Sequence, residues 1–277
     1  MKLQEKFIEL RKNKNALLAT NYYNFETLKG VLVAAKNYGC PLILQLTESS
    51  INYMGLENAV ALGRSALSFY QVEGWIHLDH GGSIELVEQC LKAGFDSVMI
   101  DGSELPIEQN VEVTCKVVEL AKAYDVNVEA ELGYIAKLGQ SSEKVAYTNP
   151  EDARSFVENT KVNALAVAIG TAHGFYKEAP KLDFDRLSEI EQVTDAALVL
   201  HGGSGVPVPD VRKSISLGIC KVNLATEIKN IFMKTLQSTL ANNSEIDLRI
   251  VFPAATEAVT KLVTGKMEMI YGINQKV

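Results

Sequence analysis

Four histidines occur among 277 residues, and three of them, His80, His173 and His201, each follow closely on a short apolar run, far apart along the chain. Three imidazoles with a coordination position left open are the donor set of a catalytic zinc site. Taken singly, a histidine is more often structural than a ligand, and strand ends tend to be polar because they meet solvent. That explanation covers one or two such residues; it covers three of the four histidines poorly. The fourth, His77, lies two residues before Asp79, on the same face of a strand, and reads as an interior residue or a support for a ligand. Asp79 directly precedes His80. It is either a capping or supporting carboxylate or a general acid/base working beside the metal. Asp101 and Glu131 end two further runs and suit alternative metal ligands, supports of ligands or ion-paired strand ends.

A second kind of chemistry is written near the C-terminal third. His201-Gly202-Gly203-Ser204-Gly205 follows an apolar run, and glycines let backbone N–H groups close around an anion. The next run ends Val222-Asn223-Leu224-Ala225-Thr226 and opens a helix, whose N-terminus adds further N–H donors and a favourable dipole. Together they predict a phosphate site.

The elements that must position these groups follow from the apolar runs. Strands are expected at Ala16–Thr20, Pro41–Thr47, Trp75–Asp79, Ser97–Asp101, Val126–Leu132, Ala164–Gly170, Ala197–His201 and Lys221–Ala225. The runs are nearly continuous in apolar residues, as parallel strands buried on both faces require. Amphipathic stretches fill the gaps. Ser83 caps the one ending near Leu91, with Gly94 as its stop; Pro106 opens a helix reaching Tyr124; Asn149-Pro150-Glu151-Asp152 reads as N-cap, first helical residue and acidic first turn. Asp183–Val193 and Pro207–Leu217 are further helices. Eight strand–helix units in about 250 residues predict an α/β fold, a (β/α)8 TIM barrel. A doubly wound open sheet is the runner-up, but no Gly-x-Gly-x-x-Gly turn follows the first strand. In a barrel the carboxyl ends of the strands form one face, and there the order reads Asn21, Thr47, Asp79 with His80, Asp101, Glu131, His173, His201 and Asn223. Phosphate sites in barrels gather at the loops after strands seven and eight, where the glycine-rich turn and the Asn223–Thr226 segment fall.

Composition narrows the partners. Net charge is -7 with no run of Lys and Arg, which argues against nucleic acid. No apolar run approaches the ~20 residues of a membrane-spanning helix, and Met1-Lys2-Leu3-Gln4-Glu5-Lys6 has no apolar leader pattern, so a cytoplasmic protein is expected. Cys40, Cys90, Cys115 and Cys220 are widely spaced and each lies among apolar residues. They read as reduced core thiols rather than disulfides or zinc ligands. No linker-like stretch divides the chain, so residues 1–277 are expected to form a single domain.

The motifs themselves resemble a known family. His77-Leu78-Asp79-His80-Gly81, Met99-Ile100-Asp101-Gly102-Ser103, Val128-Glu129-Ala130-Glu131-Leu132-Gly133, Ala168-Ile169-Gly170-Thr171-Ala172-His173-Gly174, Leu200-His201-Gly202-Gly203-Ser204-Gly205 and Lys221-Val222-Asn223-Leu224-Ala225-Thr226-Glu227 are similar, in order and over nearly the whole chain, to class II, zinc-dependent ketose-bisphosphate aldolases. The resemblance implies reversible retro-aldol cleavage of a fructose- or tagatose-1,6-bisphosphate type of ketose to dihydroxyacetone phosphate and an aldehyde such as glyceraldehyde 3-phosphate. It implies His80, His173 and His201 as Zn2+ ligands and Asp79 as the acid/base at the C4 hydroxyl. Gly174, Gly202, Ser204, Asn223 and Thr226 would hold dihydroxyacetone phosphate. Asn21 and Thr47 would lie near substrate, and Asp101 and Glu131 at positions for a second or displaced metal. A monovalent cation, Na+ or K+, near Gly174 and the loop after strand seven, and a homodimer or homotetramer, are also implied. Lys221 invites a Schiff-base reading that the zinc set makes redundant.

Two departures bear on the reaction. The family follows Glu-Leu-Gly with a Gly-Gly pair and an acidic loop whose Glu transfers the C1 proton; here the segment reads Tyr134-Ile135-Ala136-Lys137-Leu138-Gly139-Gln140-Ser141-Ser142-Glu143. Glu143 is its only acidic candidate. A non-catalytic or weakly active phosphosugar-binding partner subunit is the alternative that this loop leaves. Ala225 stands where many fructose-bisphosphate enzymes have Asp, and resembles tagatose-type members. Thr47-Glu48-Ser49-Ser50 also departs from the commoner Ser-Glu-Gly pattern.

Overall fold

In the computed structural model, residues 1–135, 147–174, 176, 178–241 and 243–272 are described. The strands are β1 (Leu17–Asn21), β2 (Leu42–Thr47), β3 (Gly74–Gly81), β4 (Ser97–Ile100), β5 (Asn127–Leu132), β6 (Ala164–Val167), β7 (Ala197–Leu200) and β8 (Ile219–Leu224). Each pairs in parallel with the next and β8 pairs with β1, so the sheet closes as a (β/α)8 barrel.

The helices are α1 (Leu3–Asn13), α2 (Phe25–Tyr38), α3 (Glu48–Met54), α4 (Leu56–Tyr70), α5 (Ile84–Lys92), α6 (Ile107–Lys122), α7 (Pro150–Thr160), α8 (Phe184–Val193), α9 (Val208–Ser216), α10 (Thr226–Leu240) and α11 (Leu248–Tyr271). Their starts follow local chemistry. The Leu86 N–H donates to Ser83 at 3.1 Å and the Glu151 N–H to Asn149 at 2.9 Å, the latter with Pro150 as first helical residue. The expected caps at Ser83 and Asn149 are therefore present. Pro106 sits one position earlier than expected, as the N-cap of α6. Among the described residues three helices are additional to the eight-unit pattern: α1 before the first strand, one of the pair α3 and α4 between β2 and β3, and α11 after the last.

Strand alternation splits the core in two. Outward residues such as Leu18, Leu44, Ile76, Val98, Leu165 and Leu198 bury against the surrounding helices. Inward residues Leu17, Ala19, Ile43, Trp75, Ala164, Ala166, Ala197 and Val199 form a separate cluster at the amino end of the barrel, closed by Leu3, Phe7 and Leu10 of α1. Those three recur at helical spacing, so α1 is held by one apolar face. Above this plug the interior turns polar: Gln45, His77, Ser97, Asn127, Glu129 and Lys221 are all 0% exposed. The apolar plug seals one end, and the polar layers above it lead to the site. Cys40, Cys90 and Cys220 are buried as expected, whereas Cys115 on α6 is half-buried.

Candidate active site

At the carboxyl end of the barrel lies a cavity of about 270 Å³, lined by Asn21, Thr47, Asp79, His80, His173, Gly174, Gly202, Ser204, Asn223, Ala225, Thr226 and Lys229. Loops after β1, β2, β3, β6, β7 and β8 thus converge on one space.

His80 reaches it by a backbone distortion. Successive strand residues face opposite sides, so Asp79 and His80 cannot both point inward from a regular strand. His80 adopts a left-handed φ of 53°, and the β3–β4 register breaks between Leu78 and Gly81. This break re-aims the imidazole into the barrel mouth; such bulges and left-handed residues concentrate at functional sites. Gly81 is required beside it, because a Cβ there would stand 2.4 Å from the Met99 carbonyl oxygen.

The three imidazoles meet edge to face. Ring centroids are 4.8 Å apart for His80–His201, 4.9 Å for His80–His173 and 5.7 Å for His173–His201. Ligand atoms of His80, Glu131, His173 and His201 all lie within 4.8 Å of one another. Donors ~2.1 Å from a tetrahedral zinc ion stand roughly 3.4 Å apart. The 3.1 Å between His80 Nε2 and His201 Nδ1 and the 3.9 Å between His201 Nδ1 and Glu131 Oε2 bracket that value. Glu131 Oε2 is buried with no hydrogen-bond partner, an acceptor turned into this group. The ring nitrogens facing away are held by carboxylates: His80 Nδ1 donates to Asp101 Oδ2 at 2.7 Å and His201 Nε2 to Glu129 Oε1 at 2.9 Å. A carboxylate can only accept, so each bond leaves the opposite nitrogen as the lone-pair donor facing the centre. The set suits a borderline metal that takes nitrogen and oxygen, as zinc does.

Burial draws the His80 pKa down, but Asp79, the Asp101 hydrogen bond and Glu131 outweigh it and lift it to about 9. Burial, reinforced by Asp101, raises Glu131 to about 8. His201 is pushed well below its ordinary value, first by burial and then by His80 and Lys221. Without metal, the cluster therefore holds protons that a metal must displace.

Asp79 is 5% exposed and cradled by three amides. Asn21 Nδ2 donates to Oδ2 at 3.0 Å; Gln45 Nε2 and Asn223 Nδ2 donate to Oδ1 at 3.1 and 3.3 Å. Burial alone would raise its pKa, yet His80, His201, Lys221 and the Asn21 bond bring it below the usual value. Asn223 Nδ2 also stands 3.1 Å from His201 Nε2, and the buried oxygens Oδ1 of Asn21 and Asn223 have no protein partner. They are the acceptors that remain for hydroxyl groups.

The opposite wall offers donors. α10 begins at Thr226 after Ala225, an N-cap whose side chain caps nothing; both residues line the cavity, and the first-turn N–H groups have no side-chain acceptor. Gly202 has φ 65°, and a Cβ there would lie 2.5 Å from the Ala172 carbonyl oxygen. The close approach is fastened by Tyr176, whose hydroxyl accepts from Ala172 N–H at 2.6 Å and stands 2.8 and 2.9 Å from the carbonyl oxygens of Ala172 and Gly202. Lys229, one turn into α10, places Nζ 5.4 Å from the Tyr23 ring centroid.

All ten residues Asn21, Thr47, Asp79, His80, His173, Gly174, Gly202, Ser204, Asn223 and Thr226 singled out in the sequence line this cavity. Glu131 joins the donor group beneath it, whereas Asp101 stands outside that group as the partner of His80. Glu143 lies outside the described residues. Lys221 faces the layer below, between His77 and Glu129. Gln45, Glu129, Tyr176 and Lys229 were not anticipated. For Gln45 and Glu129 a signal exists: each lies two positions before a residue already singled out, hence on the same strand face.

Over residues 1–275 the sequence matches the family described as Fructose-bisphosphate aldolase class-II. Among solved structures, the YdjI aldolase from Escherichia coli K12 superposes with a TM-score of 0.86 at 27% identity, over 97% of this chain and 96% of that one. A putative fructose-1,6-biphosphate aldolase from Coccidioides immitis gives 0.88 at 28% identity, over 96% and 94%. The fructose-bisphosphate aldolase Fba from Campylobacter jejuni shares the fold, with a TM-score of 0.83 at 20% identity over 98% and 95%. None of the described helices is long and apolar enough to cross a membrane. A family match running nearly end to end, with solved aldolases superposing over nearly the whole barrel, makes this chain a member of the class II fructose-bisphosphate aldolases and an aldehyde-lyase.

Proposed function

We propose that the protein is a zinc-dependent aldolase that cleaves a phosphorylated ketose, of the tagatose- or fructose-1,6-bisphosphate type, to dihydroxyacetone phosphate and an aldehyde. The observation that carries this reading is the convergence of His80, Glu131, His173 and His201 within 4.8 Å, with the buried Asp79 carboxylate beside His80, its Oδ1 4.0 Å from His80 Nε2. Zinc held by these residues supplies a Lewis acid for the carbonyl of the three-carbon unit.

The chain's own groups do the rest. Asp79, ionised because its pKa lies low, accepts the C4 hydroxyl proton as the C3–C4 bond breaks. The C4 oxygen becomes the aldehyde carbonyl, and the bond's electron pair passes to the three-carbon unit, whose carbanionic carbon then takes a proton to give dihydroxyacetone phosphate; Glu143 is the acidic candidate in the sequence for that transfer. In condensation Asp79 returns the proton. The oxygens of Asn21 and Asn223 accept from substrate hydroxyls. The N–H groups at the start of α10, with Ser204 and the Gly202 turn, receive the phosphate and fix the reacting carbons in place. Lys229 is the one Lys or Arg among the described residues lining the cavity. Its ammonium, one turn into α10 and beside Tyr23, supports an anionic group on the substrate. Ala225, at a cavity-lining position where many fructose-bisphosphate enzymes carry Asp, supports the tagatose-type reading.

Removal of metal with EDTA abolishes cleavage and added zinc restores it; full activity in metal-free protein would overturn the reading. Asp79→Ala retains one zinc and lowers kcat by about 10²–10⁴-fold. Comparison of fructose and tagatose 1,6-bisphosphates with ketose 1-phosphates assigns the substrate.

A further inference from the structure

Beneath the donor group runs a chain of buried polar side chains that the cleavage reaction does not touch. Lys221 Nζ donates to Glu129 Oε2 at 2.7 Å and to His77 Nε2 at 3.0 Å. His77 therefore carries its proton on Nδ1, 2.7 Å from Ser97 Oγ, which also accepts from Asn127 Nδ2 at 2.8 Å. The other oxygen of Glu129, Oε1, accepts from His201 Nε2 at 2.9 Å. Side chains of Lys221 and Glu129 are 1% and 0% exposed.

Stability does not explain such a layer. Taking a Lys and a Glu out of water costs several kcal/mol per ion, and well-packed apolar side chains of similar volume are often as stable or more so. The layer below is filled in that way, with Leu17, Ala19, Ile43, Trp75 and Val199. A buried pair does offer direction. Lys221 can only donate, so it fixes which oxygen of Glu129 is engaged from below and leaves the other for His201. A carboxylate oxygen can only accept, and Glu129 Oε1 stands nearer His201 Nε2, at 2.9 Å, than the Asn223 amide nitrogen at 3.1 Å, so His201 presents N–H at Nε2 and a lone pair at Nδ1, the nitrogen 3.1 Å from His80 Nε2.

We propose that Lys221 and Glu129 are positioning residues for His201: Lys221 pins the Glu129 carboxylate, and Glu129 fixes the ring orientation and tautomer that turn His201 Nδ1 toward the metal. The proposal rests on His201 being a zinc ligand. It separates Lys221 from any Schiff-base role, since its amine is engaged on the side away from the cavity.

Zinc affinity, measured by chelator competition on the full chain, tests it through a double-variant cycle. In Glu129→Gln, Lys221 holds the amide oxygen, so the amide NH2 faces His201 Nε2. The ring must then accept there and carry its proton on Nδ1, where the metal would bind. The expected loss is about 10–100-fold in zinc affinity. Adding Lys221→Met frees the amide to turn its oxygen to His201, so the double variant binds zinc more tightly than Glu129→Gln alone. A merely structural role predicts the reverse, with the second lesion in the same buried layer adding to the first. A double variant as weak as, or weaker than, Glu129→Gln overturns the proposal. Failure of the unaltered protein to bind one zinc would sink the metal reading instead. Should Glu129→Gln not fold, ¹⁵N NMR of histidine in the metal-free unaltered protein decides: His201 is expected as the Nε2–H tautomer, and Nδ1–H overturns the assignment.

Discussion

Loading zinc into metal-free protein should expel roughly one to two protons per ion at pH 7. The number comes from two groups whose protons occupy the space a metal needs. His80 is held at about 9 because Asp79, the bond to Asp101 and Glu131 outweigh its burial. Its Nδ1 proton stays with Asp101, so the proton lost is the one on Nε2, facing His201. Glu131 is lifted to about 8 by burial and Asp101. At pH 7 both sites lie below their raised values and are mostly protonated, so roughly one to two protons leave when both become ligands, and at pH 9 the release falls to about one or less. His201, whose pKa lies well below its ordinary value, adds nothing in this range. The slope of log Ka for zinc against pH equals the same number at each pH, which gives a second route to it. Calorimetric titration in two buffers of different ionisation enthalpy measures the release directly, and Glu131→Gln should remove up to about one proton of it at pH 7. Release below half a proton at pH 7, or release independent of pH between 7 and 9, would refute the claim that these two residues give up protons to the metal.

Three further outcomes follow from the same geometry. The metal-free fold should lose stability as pH rises from about 6.5 to 9. His80 and Glu131 both have folded pKa values raised above their ordinary 6.5 and 4.5, so each favours the fold below its ordinary value and loses that contribution as pH passes through the raised one. Melting curves with and without zinc should diverge across this range, and a constant difference counts against the assignment. Gly202→Ala forces a left-handed φ on a residue with a Cβ 2.5 Å from the Ala172 carbonyl oxygen. It should cost more than ~1 kcal/mol, a fall of roughly 2–4 °C or more in Tm, and raise KM for phosphorylated substrate; an unchanged KM would dissociate this turn from phosphate binding. Tyr176→Phe strips the hydroxyl that ties the His173 loop to the Gly202 turn. Each lost bond is worth about 0.5–1.5 kcal/mol, and KM should rise more than kcat falls, as steady-state kinetics can resolve.

How much of this site was legible in the residues depends on which physical signal each feature leaves. Parallel strands buried on both faces leave a loud one, so all eight appear where apolar runs stand. Their ends are less legible, because the ends are where function overrides propensity. The apolar run Ala164–Gly170 suggests a long sixth strand, but β6 stops at Val167. Gly170 turns with φ 110° against the Lys181 carbonyl oxygen, and the chain leaves the sheet to deliver His173. Likewise Asp79-His80 looks like two residues competing for one face. Nothing local announces that His80 takes a left-handed φ so that both can enter. α1 was missed because its few apolar residues have a partner only once a barrel end exists to be plugged.

The buried layer of Lys221, Glu129, His77 and Gln45 shows where a stronger inference was available. In a closed barrel inward residues recur with period two on every strand, and register locks each strand's set to its neighbours'. Pairs such as Gln45 with His77, Met99 with Glu129, Val199 with Lys221 and Thr47 with Asp79 are fixed together. Once Thr47, Asp79, Glu131, His201 and Asn223 are assigned to the mouth, stepping back two residues on each strand yields Gln45, His77, Glu129, Val199 and Lys221. Four of these five are polar, in a position where a barrel ordinarily places branched apolar side chains. A polar residue inside a packed barrel must find partners or destabilise the fold, so their joint presence already required a connected network. Since the mouth lies directly above, the network's upper contacts had to be the residues lining it, as the bonds of Gln45 to Asp79 and of Glu129 to His201 are.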